Sequence, residues 1–191
     1  MKKIIILLII IVFILVIVCI YKLVSYIDYK SKLDNLDKYT LNSSESIYKE
    51  FSYKNSNYVI TNYNDNKSSY YSHHILFKDN SEYYLLDTLN KCDLSDYLNN
   101  NEYYIHCIGK KGSIIKYTFN GTSIKKDIIN LNYKNTPNTN QIYLTIDNVD
   151  KNYIYLNSNM KNDDNIKEGN SIKCNIDTRD CEYKVQDKNI N

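Results

Sequence analysis

From Ile4 to Ile20 the chain reads Ile-Ile-Ile-Leu-Leu-Ile-Ile-Ile-Val-Phe-Ile-Leu-Val-Ile-Val-Cys-Ile, without one charge. With Tyr21, Leu23 and Val24 set around Lys22, this stretch reaches the roughly 20 residues that a helix rising 1.5 Å per residue needs to cross about 30 Å of hydrocarbon. The sequence therefore predicts a transmembrane α-helix, Ile4 to Val24, whose first partner is the lipid bilayer. Lys2, Lys3 and the α-amino group precede it, and the bias of positive charge toward the cytoplasm puts the N-terminus inside and the rest outside. Lys22, Lys30 and Lys32 on the far side are partly offset by Asp28, Asp34 and Asp37.

A cleaved signal peptide is the main alternative. It needs small residues at the cleavage site, whereas Val18 to Ser25 offers only Ser25, and the apolar run is longer than a usual signal core. A lipoprotein signal ends in a small residue followed by cysteine, and here Val18 precedes Cys19. An uncleaved signal anchor is the expectation. Leu23, Ile27, Leu33 and Leu36 then recur at near-helical spacing among charges, which extends the helix outward as a stalk ending near Asn42-Ser43-Ser44. The expected organisation is a cytoplasmic tail at 1–3, an anchor at 4–24, a juxtamembrane stalk at 25–44 and one extracytoplasmic β domain at 45–191.

The balance of 24 Lys plus Arg against 22 Asp plus Glu gives a net charge of +2, too weak a field to argue for a nucleic-acid partner. The composition is more telling in its 21 Tyr, four Gly, one Pro and no Trp. From Tyr48 onward Tyr and Ile recur in short alternating runs between Asn, Asp, Ser and Gly clusters, the pattern of strands and turns. In one hairpin Ile114 to Phe119 meets Asn120-Gly121 and returns through Thr122-Ser123-Ile124, the Asn-Gly pair supplying the positive φ of a tight turn. A second runs from Cys92 to Cys107 with Asn99 and Asn100 at the turn, which sets Tyr97 against Glu102, Leu94 against Ile105 and Cys92 against Cys107.

Ser56 to Ile60, Asn101 to Ile105 and Lys151 to Tyr155 each open a strand, at intervals typical of repeat architectures. Each is followed by a hairpin: Ile75 to Phe77 turning at Asp79-Asn80, Ile114 to Phe119 at Asn120-Gly121, and Ile172 to Ile176 at Asp177 to Asp180 toward Cys181. Units of this kind resemble the blades of secreted or membrane-anchored β-propeller-like proteins. A closed propeller has about four to eight blades, so three units imply a compact sandwich or completion by another subunit. The fold class is an antiparallel all-β ectodomain, propeller-like blades or a β-sandwich, behind one transmembrane helix. Lys134 to Asn140, with the single proline Pro137, reads as a linker between the second and third units.

Beyond Cys19 the remaining cysteines, Cys92, Cys107, Cys174 and Cys181, suit two disulfides in an exported domain. The register pairs Cys92 with Cys107, and proximity pairs Cys174 with Cys181. A turn at Thr178-Arg179 sets Ile176 against Cys181 and leaves Cys174 diagonal, unless the turn widens to about six residues. His73, His74 and His106 are poor metal ligands together with Asp79, because adjacent strand residues point to opposite faces. Asn162-Asp163-Asp164-Asn165 lacks the spaced ligands of a calcium loop. No metal or cofactor is expected.

No nucleophile elbow, phosphate loop or zinc-protease motif occurs, so the chain does not read as an enzyme. The pairs Tyr70-Tyr71, Tyr83-Tyr84 and Tyr103-Tyr104 each put one ring inward and one outward on a strand, and the outward rings are the candidate contacts for a protein or glycan at the outer surface. The leading expectation is a single-pass membrane-anchored extracytoplasmic binding or interaction protein. The alternatives are a cell-envelope hydrolase using acids such as Asp87, Asp93 and Glu102, and an accessory subunit of a membrane complex held by its helix.

Overall fold

The computed structural model describes residues 2–64, 71–107, 113–133, 142–162 and 165–184. One helix, α1 (Lys2–Asp34), leads into antiparallel sheet. Its side chains from Ile6 to Ile27 are almost all exposed, and the helix is long and apolar enough to span a membrane. Near its end it changes character: Leu33 is buried, and Tyr29 and Leu36 pack beside it against the domain core. The helix stops at Asp34, short of the expected stalk end at Asn42, because the next residues enter the sheet.

The strands that follow are β1 (Asp37–Tyr39), β2 (Glu45–Tyr53), β3 (Ser56–Tyr63), β4 (His73–Asp79), β5 (Glu82–Leu89), β6 (Leu94–Asn99) and β7 (Glu102–Cys107). Then come β8 (Ser113–Asn120), β9 (Ser123–Asn130), β10 (Asn132–Tyr133), β11 (Ile142–Val149), β12 (Tyr153–Asn162), β13 (Asn165–Asn175) and β14 (Asp180–Lys184). They form three sheets, each built on a four-stranded antiparallel meander: β2 to β5, β6 to β9 and β11 to β14. The three strands noticed as a sequence repeat, β3, β7 and β12, each hold second place in their meander. β1 joins the first sheet antiparallel to β5, and β10 joins the third parallel to β14.

Tight turns set the registers. Lys54 and Asn55 both have positive φ between Tyr53 and Ser56, and Asn80 and Asn100 adopt it at the corresponding positions of later hairpins. The β6–β7 turn is Asn100-Asn101 rather than Asn99-Asn100, so Tyr97 faces Tyr104 and Leu94 faces Cys107. This shift from the expected register sets Tyr97 against the Tyr104 ring instead of the Glu102 carboxylate. The β8–β9 turn is Gly121-Thr122, not Asn120-Gly121. Only Gly121 has positive φ, as a type II′ turn requires, and Phe119 thereby meets Ile124 while Ile115 meets Ile128.

The sheets stack in chain order. Tyr58, Ile60, Ile75 and Phe77 of the first sheet meet Tyr103, Ile105, Tyr117 and Phe119 of the second in one core. Tyr104 and Ile114 on the reverse of that second sheet meet Leu144, Ile146, Ile154 and Leu156 of the third in another. The first strands of successive meanders are linked by polar side chains. Asp96 on β6 pairs with Lys49 and accepts from Tyr48 Oη at 2.5 Å, both on β2, while its neighbour Ser95 accepts the Ile146 N–H of β11 at 2.7 Å. Alternation on β6 explains the division, since adjacent side chains point to opposite faces.

Both expected cysteine pairs lie at disulfide distance. Cys174 stands directly opposite Cys181, because the β13–β14 turn has widened to Asn175 through Asp180. Cys92 lies just before β6 and reaches Cys107 diagonally, with Cα atoms 4.8 Å apart. The Lys134 to Asn140 linker lies outside the described residues.

Candidate functional site

The helix and the tight turns share one end of the domain. A groove of about 470 Å³ runs there between Asp28, Tyr29, Lys32 and Leu36 of the helix region and the Gly121-Thr122 turn. On the first sheet, Glu45 opens β2, Thr61 lies near the close of β3, and His73 and His74 open β4. Glu45 accepts from the Asn42 N–H at 3.0 Å, Tyr39 Oη at 2.8 Å, Thr61 Oγ1 at 2.8 Å and His74 Nδ1 at 2.6 Å. Burial by itself pushes this carboxyl up, but the bonds from Asn42, His74, Tyr39 and Thr61 together hold it below the usual range. With both oxygens saturated, the carboxylate ties the segment after the helix to the first sheet instead of offering a base.

His73 and His74 diverge as strand neighbours should. His73 is buried with Nδ1 at 3.0 Å from Thr61 O and Nε2 at 2.5 Å from the Cys92 carbonyl, and burial lowers its pKa against both of those bonds. It thus connects the first sheet to the half-cystine that enters the second. His106 is buried in the middle sheet. Among the described residues no three or more His, Cys, Asp and Glu side chains are arranged so as to hold a metal ion, and Asp163 and Asp164 lie outside those residues.

The acids considered for hydrolysis lie on different elements. Asp87 on β5 accepts from Tyr117 Oη at 2.6 Å and Lys126 Nζ at 2.7 Å; burial raises its pKa, and these two donors with the Thr88 N–H lower it by more. Glu102 on β7 pairs with Lys116 at 2.5 Å and accepts from Tyr104 Oη at 2.7 Å, with the same net lowering against burial. Asp93 lies in the connection from β5 to β6.

The tyrosine pairs fare unequally. Tyr84 is buried in the core, while Tyr83 lies on the outer face of the first sheet with Lys78 Nζ 5.8 Å from its ring centroid. Tyr71 is exposed, and Tyr70 lies outside the described residues. Tyr103 and Tyr104 are both buried, so neither is an outward contact as expected. Alternation does send them to opposite faces, but the middle sheet is covered on both.

The outward face of the third sheet carries an aromatic shelf. Tyr153 and Tyr155 project from β12 with ring centroids 6.4 Å apart, and Lys173 Nζ of the adjacent strand lies 3.8 Å from the Tyr153 centroid and 5.8 Å from that of Tyr155. Tyr155 Oη donates to Asp150 at 2.8 Å, which raises the phenol pKa. Beside the shelf a cleft of about 220 Å³ is lined by Tyr153, Lys173, Asn175, Thr178, Asp180 and Glu182. The chain matches no protein-family profile, no curated protein and no solved structure. Geometry alone therefore nominates the shelf, which combines half-buried rings, a cation and carboxylates around an open cleft. The sequence signal for such a shelf is Tyr-x-Tyr, the spacing that puts two rings on one strand face, rather than adjacent Tyr-Tyr.

Proposed function

We propose that this protein is a single-pass membrane-anchored binding or interaction protein, with its N-terminus in the cytoplasm and its β domain outside. The carrying observation is the continuity of α1. Its apolar length is exposed from Ile6 to Ile27, yet the same helix buries Leu33 in the domain core. An exposed apolar surface of that extent is costly in water and stable in hydrocarbon. The junction also leaves the β domain close to the bilayer, its turn end toward the lipid. On this reading the three stacked meanders act as propeller-like blades, a view supported by their equal strand number and linked first strands. The Tyr153, Tyr155 and Lys173 shelf is the proposed ligand surface, where a sugar ring or a protein side chain stacks and the neighbouring carboxylates accept hydroxyl or amide protons.

Alkaline carbonate extraction together with a reporter active only outside the cytoplasm, fused after Asn191, tests the anchoring. Retention in the membrane fraction with an active reporter is the expected result. Release by carbonate, or activity only from a cytoplasmic reporter, refutes it.

A further inference from the structure

The imidazole of His73 is set between two main-chain carbonyls. Its residue opens β4 with 2% of its surface exposed; Nδ1 lies 3.0 Å from the Thr61 carbonyl oxygen of β3, and Nε2 lies 2.5 Å from that of Cys92. A carbonyl oxygen only accepts, whereas a neutral imidazole carries one N–H and one bare lone pair. Neutral His73 therefore satisfies one of these carbonyls and turns a lone pair toward the other. Imidazolium, with an N–H on each nitrogen, satisfies both. Burial works the other way, disfavouring the charge, and it prevails in holding the pKa below its ordinary value. The titratable groups facing the ring come from three sides. Asp93, next to Cys92, favours the charge, and the adjacent His74 opposes it. The Tyr48 ring of β2 stands edge-on at 6.2 Å with its hydroxyl committed to Asp96. Toward Thr61 and Cys92 the ring meets main chain, and Cys92 is bridged to Cys107.

We propose that His73 is a proton-operated latch between the first sheet and the segment leading into the second: the protonated ring holds the Thr61 and Cys92 carbonyls together, and the neutral ring releases Cys92. The choice of released partner follows from the fold. Thr61 is fixed within the β3 ladder, whereas Cys92 lies in the irregular connection between β5 and β6, which is free to yield. The neutral ring accordingly keeps its proton on Nδ1 and leaves Nε2 bare. Release stays local, because the same connection is tied to the start of β4 by main chain. The Cys92 N–H donates to the Tyr71 carbonyl at 2.7 Å, and the Lys91 N–H donates to Ser72 Oγ at 3.4 Å. The Cys92–Cys107 bridge also holds the segment against the end of β7. Acidification thus tightens the joint between two sheets that share one core, and a return to neutral pH loosens it.

The test is a titration of the full chain in phospholipid nanodiscs from about pH 8 to about pH 4, with isotope-labelled histidine read by ring-nitrogen chemical shifts. Amide exchange at Lys91, Cys92 and Asp93, corrected for its intrinsic pH dependence, is followed alongside. The His73 ring should begin with Nδ1 alone protonated and gain a proton on Nε2 in one step, and exchange at the three amides should slow by about fivefold in that step. His73→Gln assigns the ring signal by its loss; its amide can hold one carbonyl at any pH, so the step in exchange should vanish. If that variant does not fold, Asp93→Asn, at a half-buried position, withdraws a favourable charge and should raise the proton concentration at the midpoint about threefold. A ring doubly protonated at about pH 8, one still neutral at about pH 4 with the fold intact, or a neutral ring protonated on Nε2 overturns the proposal. So does a step that survives His73→Gln or an Asp93→Asn midpoint that does not move, either of which assigns the step to other groups. The latch does not depend on the anchoring proposed above, so carbonate extraction and this titration decide separate questions.

Discussion

The two disulfides should contribute unequally, and their order follows from chain separation. Cys92 and Cys107 are 15 residues apart, and Cys174 and Cys181 are 7 apart. In the loop-entropy description the first bridge removes about 3 kcal/mol of unfolded-state freedom and the second about 2.4 kcal/mol. All four half-cystines are buried, so paired alanine substitutions are preferable to serine, which would bury a hydroxyl. Each double variant deletes two buried sulfurs, so the packing losses largely cancel in the difference and leave about 0.6 kcal/mol from loop length. Losing both bridges costs about 5 kcal/mol, the lower end of ordinary domain stability, and the fourfold variant should show no cooperative transition. Equilibrium urea unfolding in mild detergent, followed by tyrosine fluorescence and far-ultraviolet circular dichroism, measures all three variants. The reasoning fails if Cys174→Ala with Cys181→Ala costs more than Cys92→Ala with Cys107→Ala. It also fails if a reductant leaves the unfolding midpoint of the unaltered protein unchanged.

Phe119→Ala should destabilise the domain by about 3–5 kcal/mol, since its buried ring lies 4.5 Å from Tyr58 and 5.0 Å from Phe51, whereas Ile128→Ala should stay within about 0.5 kcal/mol in the same urea assay. Asp96→Asn should cost about 1–2 kcal/mol, less than a fully buried pair because Lys49 remains about a third exposed, and a double-mutant cycle with Tyr48→Phe should reveal coupling through the shared carboxylate. Glu45, Asp87 and Glu102 all have folded pKa values below their ordinary ones, so the unfolded chain binds more protons as pH falls. Stability should therefore be full above the ordinary carboxylate range and decline from about pH 5 downward, and a urea midpoint that rises on acidification would contradict this sign.

The sequence by itself determined the features whose causes are local. An unbroken apolar run long enough for a bilayer, strands marked by alternating Tyr and Ile, and turns marked by Asn and Gly follow from hydrophobicity and φ preference. The recurring strand openings led to the units that fold as meanders, and the cysteine partners were legible from proximity. Register was less so: Asn99-Asn100 and Asn120-Gly121 are good turn formers, but cross-strand neighbours moved each turn by one residue. What lies beyond a sheet face was not legible at all. Period-two alternation says that Tyr103 and Tyr104 diverge, and it is silent on whether a third sheet covers the second ring. The same holds for Tyr153 and Tyr155, which remain available because no further sheet stacks on their face among the described residues. Face coverage and strand addition depend on segments far apart in the chain, such as β1 against β5 and β10 against β14, so only tertiary packing decided which tyrosines are core.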